Sequence, residues 1–218
     1  MLNAVVALTA VLVCCSSPVA VRAQVAAARE TSVVGSGAGA VVAAWSFKTG
    51  GSVYSSPTSA NGVVYFGSYD NKLYAVSARD GRTLWSFKTG SRVLSRPAVA
   101  NGAVYFGSQD NRFYAVNAAD GRERWKFKSD YAVNSSPAVS NGAVFFAGTN
   151  GILYALDAAT GQERWRVSLG VGTPSSPVYA DGAVYFGSAR GLHAYDAATG
   201  QGRWKYLTAH AVVSAPSA

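Results

Sequence analysis

Residues 55–85 read SSPTSANGVVYFGSYDNKLYAVSARDGRTLW, and the same order of features returns three more times along the 218-residue chain. Each copy has a proline after serine or arginine, then Asn-Gly or Asp-Gly, an apolar-aromatic run, and a glycine followed by a tryptophan. The tryptophans are spaced 40, 40, 40 and 39 residues apart: Trp45, Trp85, Trp125, Trp165 and Trp204. A fixed period of this length indicates a repeat architecture built from small structural units.

Each unit carries the turn signals of an antiparallel sheet. Asn-Gly or Asp-Gly between two β-rich runs supplies the positive φ angles of a type I′ hairpin turn. In the first unit these signals predict strands near residues 53–60, 63–68, 72–78 and 82–88. Four short strands in about 40 residues are typical of a propeller blade. The sequence therefore predicts an all-β fold, a β-propeller of four-stranded antiparallel blades with about four blades present, which makes it a partial or half propeller.

The tryptophans fit this architecture. A single four-stranded meander cannot bury both of its faces, whereas blades stacked face to face can. One large side chain on the last strand of each unit would then pack between neighbouring blades, where truncating a Trp typically costs about 3–5 kcal/mol. We therefore expect the five tryptophans to be structural blade-docking residues and not a platform for ligand stacking.

The N-terminal part of the chain has a different composition. Residues 4–13 form an apolar run too short for a membrane-spanning helix of about 20 residues, and a small-x-small cleavage pattern ends at Ala23. We expect residues 1–23 to be a secretory leader, residues 24–41 a flexible Ala/Gly/Ser linker and residues 42–218 the propeller repeats. Because no Lys or Arg precedes the apolar run, a misplaced start codon and a membrane anchor are the alternatives. Both cysteines, Cys14 and Cys15, lie in the leader, where lipid attachment is a further alternative.

Composition indicates a basic surface without a catalytic pattern. The formal charge is +8, and the charged residues are spread through the repeats. Most acidic residues are explained by turns, outer strands or the linker, and Asp70, Asp110 and Asp130 remain unexplained. His193 and His210 are isolated and lack the spacing of metal ligands, and no G-x-S-x-G nucleophile motif occurs. We expect no catalytic residue, no metal site and no cofactor site in this chain.

Two stretches carry a family resemblance. Residues 155–165 and 194–204 both fit A-x-D-A-A-T-G-x-x-x-W, which resembles the repeat of the pyrroloquinoline-quinone-type (PQQ-like) propeller proteins. The first two units keep a looser form, and the resemblance covers about residues 42–217. It implies that the repeated glycines, together with the tryptophans, dock the blades: Gly81, Gly121, Gly161 and Gly200. The resemblance therefore concerns architecture and not chemistry.

The PQQ-like family contains proteins of two functional kinds. Quinoprotein dehydrogenases hold the quinone and a Ca²⁺ ion above the propeller axis. The others are non-enzymatic, such as outer-membrane assembly factors of the BamB type and related extracytoplasmic scaffold or sensor domains. Members of both kinds have more blades than the four counted here.

Both ends of the repeat region look like parts of further blades. Residues 42–48 resemble the last strand of a preceding blade, and residues 210–217 resemble the first strand of a following one. The two ends cannot complete one blade, because its second and third strands are missing. The alternatives are a gene fragment, a half-propeller that dimerises, and an open arc whose exposed edges invite aggregation.

We expect a non-catalytic protein-interaction scaffold outside the cytoplasm, in the periplasm, the cell envelope or the medium. Its expected partners are proteins, with a second copy of itself among the candidates, and not nucleic acid. It would touch a membrane only through the leader, if that is uncleaved or lipidated. The predicted contact face lies on the loops and includes Lys72, Arg92, Arg96, Arg112 and Arg190. The alternatives are a fragment of a PQQ-dependent dehydrogenase, which alone would need PQQ and Ca²⁺, and a polysaccharide- or ligand-sensing module.

Overall fold

The computed structural model describes residues 45–169, 175–212 and 214. The predicted leader (1–23) and linker (24–41) lie outside the described residues. Within these residues, sixteen strands form four separate four-stranded antiparallel sheets, each in simple sequence order. This confirms the all-β fold and the four blades of a partial propeller. Among the described residues there is no helix that could cross a membrane.

The blades have nearly identical strand boundaries. Blade 1 consists of β1 Thr58–Ala60, β2 Val63–Gly67, β3 Lys72–Ser77 and β4 Thr83–Lys88. Blade 2 consists of β5 Ala98–Ala100, β6 Ala103–Ser108, β7 Arg112–Asn117 and β8 Glu123–Lys128. Blade 3 consists of β9 Ala138–Ser140, β10 Ala143–Ala147, β11 Ile152–Asp157 and β12 Glu163–Ser168. Blade 4 consists of β13 Val178–Ala180, β14 Ala183–Ser188, β15 Gly191–Asp196 and β16 Gly202–Leu207.

The hairpin turns have the predicted conformation. Asn61 and Gly62 have φ angles of 50° and 75°, and the equivalent pairs of the other blades are alike. The first strand of each blade is shorter than predicted, because β1 begins at Thr58 and not near residue 53. Proline has no N–H to donate, so the ladder between β1 and β2 does not extend to Pro57. The first residue of β1 that pairs with β2 is Thr58. The residues before Pro57 bond to neighbouring loops instead.

The core lies between the blades. Phe113 of blade 2 stacks on Phe146 of blade 3 with ring centroids 4.0 Å apart and an interplanar angle of 4°. Both rings are fully buried, as are Leu156 of blade 3 and Val76 of blade 1. The innermost strands β1, β5, β9 and β13 contact one another in sequence order around the propeller axis. Burial on both faces explains why β6, AVYFGS, is buried along its whole length.

The connections divide between two ends of the propeller. We call one end the loop face. It is formed by the loops before the first strands of blades 1, 2 and 3, which are residues 49–57, 89–97 and 129–137. The loops after the second strands of all four blades complete it: 68–71, 109–111, 148–151 and 189–190. Backbone hydrogen bonds join these loops, such as Gln109 N to Arg92 O at 2.9 Å and Val93 N to Ser68 O at 3.2 Å. The other end is the turn face, where the two tight turns of each blade meet, as in Ala78 N to Gly62 O at 2.8 Å.

The two ends of the described chain repeat parts of the blade-to-blade contacts. Phe47 packs edge-on against Phe66 and Tyr74 of blade 1, as Phe87 does against Phe106 and Tyr114 of blade 2. Residues 45–49 nevertheless belong to no strand. At the other end, Ser175 Oγ donates to Ser214 O at 3.3 Å, matching the bond from Ser55 Oγ to Ser95 O at 2.9 Å. Both segments therefore sit where parts of neighbouring blades are expected.

Candidate functional site: a loop-face contact surface

Four of the five tryptophans lie against the predicted glycine of the following blade. The indole N–H of Trp125 donates to the carbonyl of Ala158 at 3.1 Å, and its ring lies directly over Gly161. The same donor–acceptor pairing recurs along the chain: Trp45 with Ala78, Trp85 with Ala118 and Trp165 with Ala197. Trp85 and Trp125 are only 9% exposed. These residues therefore join the blades and are not available for chemistry.

Trp204 differs because no described blade follows it. Its side chain is 48% exposed, and Tyr206 and Leu207 on the same strand are 68% and 62% exposed. Every residue of β16 is exposed. One face of blade 4 is thus an uncovered copy of the surface that is buried between blades 1, 2 and 3.

All five predicted contact residues lie in loops of the loop face or at the strand ends directly next to them. Lys72 begins β3, Arg112 begins β7, and Arg92 lies in the loop between these blades. Arg190 is two blades away, in the loop after β14. Arg96 lies further inward, where its Nε donates to Thr58 Oγ1 at 3.1 Å and its backbone N donates to Ser136 Oγ at 3.0 Å. Arg92 thus lies in a loop whose backbone bonds to the loops that precede Lys72 and Arg112, whereas Arg96 lines the cleft beside the axis and Arg190 lies on blade 4.

Arg96 lines a cleft beside the propeller axis. The cleft has a volume of about 390 Å³ and is bordered by Thr58 and by the Ser-Pro pairs of blades 3 and 4. Ser136 N donates to Ser176 Oγ at 2.9 Å, so backbone and hydroxyl groups link the blades around this cleft. Arg96 stands where the other blades have serine, and its guanidinium is the only charged group among the residues lining the cleft.

Arg92 takes part in an aromatic stack that the sequence did not predict. Its guanidinium carbon lies 4.5 Å from the centroid of the Tyr69 ring. The Tyr69 ring also contacts Tyr54, with centroids 4.8 Å apart and an interplanar angle of 34°. Tyr54 is 68% exposed, which leaves most of its ring open to a ligand or partner. Cation–π contact of this kind holds the arginine in place without neutralising it.

The three acidic residues that the sequence left unexplained, Asp70, Asp110 and Asp130, accept hydrogen bonds from tyrosine hydroxyls. Asp110 Oδ2 accepts from Tyr114 Oη at 2.6 Å and from Gly90 N at 2.8 Å, and Asp70 does the same with Tyr74 and Gly50. Burial, followed by the bond to Asp110, raises the pKa of Tyr114 well above its usual range. These bonds fasten a loop to the strand beneath it, so the acids have structural roles.

Blade 3 makes the same kind of bond with a carboxylate from a different loop. Asn150 replaces the aspartate after β10, and Asp130, in the loop before β9, accepts from Tyr154 Oη at 3.3 Å. The sequence signal was present, since Asp130 appears in a unit that keeps the tyrosine, Tyr154, but has Asn150 in place of the aspartate after the second strand. Blade 4 has His193 at the tyrosine position, and burial, followed by the positive charge of Lys205, lowers its pKa.

His193 forms a Ser–His pair that does not have the properties of a nucleophile. Its Nε2 lies 2.9 Å from Ser188 Oγ, which is also within 3.3 Å of the carbonyl of Gly191. Ser188 is only 1% exposed, so its hydroxyl cannot reach a substrate. In blades 1 and 2 the equivalent Ser68 and Ser108 are also buried and bond to loop carbonyls. The pair is therefore a loop-fastening contact.

The acidic and histidine side chains of the described residues do not cluster in the way that metal ligands do. No three His, Cys, Asp or Glu side chains of this part of the chain come together where they could hold a metal ion. The turn acids are engaged as well, since Asp157 Oδ2 accepts from Arg164 Nη2 at 2.7 Å. That bond, assisted by Thr160 and Ala159, lowers the pKa of Asp157 to about 2. The groups of the described surface that suit binding are the arginine and tyrosine side chains of the loop face.

Four-stranded blades joined by a repeated Trp–Gly contact define this chain as a PQQ-like β-propeller protein. The family model for the outer membrane protein assembly factor BamB matches residues 15–95 and 88–217. The chain belongs to this family. No curated protein matches the sequence.

Solved structures of two functional kinds share the fold. BamB from Moraxella catarrhalis superimposes with a TM-score of 0.69 at 20% identity, over 79% of this chain and 54% of that protein. The quinohemoprotein alcohol dehydrogenase ADHIIG from Pseudomonas putida HK5 gives a TM-score of 0.65 at 23% identity, over 74% and 35%. That from Comamonas testosteroni gives 0.64 at 19% identity, over 72% and 35%. The chain thus spans about half the length of this BamB and about a third of these dehydrogenases.

Proposed function

We propose that this protein is a non-catalytic scaffold that binds protein partners outside the cytoplasmic membrane. The observation that carries the proposal is the loop face of blades 1 and 2, where Arg92, Tyr69 and Tyr54 form an exposed stack beside Lys72 and Arg112. Arginine and tyrosine are enriched at protein interfaces and frequently dominate their binding energy. Membership of the BamB family supports a role in assembly and an extracytoplasmic location.

A pull-down with the purified protein tests the proposal. The triple variant Arg92→Ala, Arg96→Ala, Arg112→Ala should lose partner proteins that the wild type retains from an envelope extract. The matched control is Arg79→Ala, Arg82→Ala, Arg122→Ala, which removes three exposed arginines from the turn face. Equal partner recovery by both triple variants would refute a role for the loop face.

A second copy of the chain is a candidate partner for the open face of blade 4. At the buried blade faces, the indole ring of each tryptophan packs on a glycine and the indole N–H donates to an alanine carbonyl. A partner of the open face of blade 4 would provide the same two groups to Trp204. At the other end of the described repeats, Trp45 covers this combination at Gly81 and Ala78, so a second copy would present it to Trp204 by displacing the segment that carries Trp45. Light scattering after size exclusion should then give a dimer that Tyr206→Lys converts to a monomer. A wild-type monomer would rule out self-association through this face.

The dehydrogenase interpretation has only the shared fold behind it, because both quinohemoprotein enzymes are under 25% identical to the chain. No three His, Cys, Asp or Glu side chains come together among the described residues to hold a metal ion. We expect no dye reduction when PQQ and Ca²⁺ are added to the purified protein. Reduction above that of PQQ and Ca²⁺ alone would instead favour an enzyme.

A further inference from the structure

Two cross-strand pairs of cations stand on neighbouring blades. Lys72 of β3 lies directly opposite Lys88 of β4, and Arg112 of β7 lies directly opposite Lys128 of β8. Directly opposed residues of antiparallel strands point to the same side of the sheet, where like charges are destabilising. All four residues lie at the strand ends next to the loop face. We call this set the basic ledge.

The other two blades show that the fold does not need these charges. Blade 3 has Ile152 opposite Ser168, and blade 4 has Gly191 opposite Leu207 at the same register. Those blades form the same four-stranded sheet without any cation at this position. The basic ledge of blades 1 and 2 therefore places like charges side by side where packing does not require them.

Nothing in the described part of the chain neutralises most of this charge. Lys72, Lys88 and Lys128 have no carboxylate within 4.0 Å among the described residues, and Arg112 approaches Asp110 only at 3.9 Å. Asp110 Oδ2 is already engaged by Tyr114 and Gly90. The Lys72 ammonium lies 5.8 Å from the Tyr74 ring centroid, a contact that leaves its charge intact.

The exposed stack adjoins the basic ledge on the same face. Arg92 lies four residues after Lys88, in the loop whose backbone bonds to the loops after β2 and β6. Blade 2 has Gln109 where blade 1 has Tyr69, and the loop before blade 3 has Ala132 where Arg92 stands. The Arg–Tyr contact is thus also confined to the junction of blades 1 and 2.

We propose that the loop-face corner of blades 1 and 2 binds an acidic segment of a protein partner. Carboxylates of that segment pair with the basic ledge, and one of its side chains packs on the stack of Tyr54, Tyr69 and Arg92. The exposed aromatic and arginine groups favour a protein over a purely ionic polymer, because such groups gain energy from packing as well as from charge. This inference rests on the proposed scaffold function and names the chemistry of its partner.

Fluorescence anisotropy with a labelled Glu-rich peptide that contains one tyrosine tests the inference. Lys88→Glu with Lys128→Glu should weaken binding roughly tenfold or more. The control Arg82→Glu with Arg122→Glu changes the net charge equally on the turn face and should change the affinity less than about twofold. Binding should also weaken in about 1 M NaCl, where charges are screened beyond about 3 Å. Equal loss in both double variants, or no binding by the wild type, would overturn the proposal.

Further measurements distinguish an acidic protein segment from other anionic ligands and test the like-charge repulsion. Polyphosphate or anionic lipid vesicles that bind more tightly than the peptide, through the same two lysines, would overturn the assignment to a protein partner. Lys128→Ser copies Ser168 of blade 3 and should raise the midpoint of thermal unfolding, because it removes a like-charge pair. If partners are retained in the pull-down while the peptide does not bind, the scaffold function stands and this inference fails.

Discussion

A β-carbon added to Gly161 would lie 2.6 Å from the indole ring carbons of Trp125, one blade earlier in the chain. Gly161 also has a φ angle of 72°, which L side chains rarely adopt. One glycine therefore serves both the turn before β12 and the contact that fixes the spacing of blades 2 and 3. The protein offers matched positions at which these effects can be measured separately.

Trp125→Ala should destabilise the fold by about 3–5 kcal/mol, because it empties a buried site and leaves the Ala158 carbonyl without its donor. Trp204 occupies the same repeat position but is 48% exposed, so Trp204→Ala should cost less than about 1 kcal/mol. Urea unfolding of both variants gives the comparison. Equal losses would mean that the face of blade 4 is covered in solution.

Gly161→Ala and Gly62→Ala separate backbone strain from blade docking. Both glycines have positive φ angles, so each substitution costs about 1 kcal/mol through the backbone. A β-carbon at Gly62 meets nothing within 4 Å, whereas at Gly161 it meets Trp125. We expect Gly161→Ala to cost roughly 2 kcal/mol more than Gly62→Ala. Similar free energies of unfolding for the two variants would contradict the docking role of Gly161.

Tyr114→Phe should cost about 2 kcal/mol, because the hydroxyl makes a 2.6 Å bond to the carboxylate of Asp110. Tyr154→Phe should cost less than about 1 kcal/mol, since its bond to Asp130 is 3.3 Å long. Both rings are buried, so the lost area is the same in the two variants. Chemical denaturation should show this order, and the reverse order would refute the structural role of the Tyr114–Asp110 pair.

The Asp157–Arg164 pair should make stability depend on acid pH. The bond to Arg164 lowers the pKa of Asp157 to about 2 from its ordinary value of 3.8. The unfolded chain therefore binds more protons between these values, so the stabilisation is complete above pH 3.8 and is lost as the pH falls through 2. Because the pair is partly exposed, its contribution should not exceed about 1 kcal/mol.

Unfolding of Asp157→Asn at neutral pH and near the lowered pKa measures this effect. The variant should be less stable than the wild type at neutral pH and nearly equal to it in acid. Asp181→Asn is the control, because it restores the Asn-Gly turn of the other blades and should change the free energy of unfolding little. A constant difference between Asp157→Asn and the wild type would exclude the pH dependence.

Local patterns were enough to predict the blades. The turn at Asn61-Gly62 and the tryptophan period identified four-stranded units, because positive φ angles and a fixed repeat length are properties of short stretches. The first strand was predicted too long, because the extended residues before Pro57 look like a strand but bond to loops of the same face. Local composition does not distinguish these two kinds of partner.

The candidate surface was predicted only in part. Arg92 was expected on the loop face, but its contact with Tyr69 joins residues of two different loops and could not be read from spacing. Arg96 was also expected on the loop face and lies in one of its loops, but its bond to Thr58 and its place in the cleft beside the axis could not be inferred from spacing. Lys88 and Lys128 were missed, since a cross-strand pair depends on sheet register.

The sequence by itself determined the class of fold, the number of repeats and the family, because these depend on a period and on turn residues that act within about 40 residues. Only the tertiary structure decided which charges stand together and which tryptophan is uncovered. Those properties depend on how one blade is placed against the next, and on contacts such as Tyr154 with Asp130 between residues 24 positions apart. Such contacts form only when the blades stack, so the binding properties of the loop face arise from the assembled propeller.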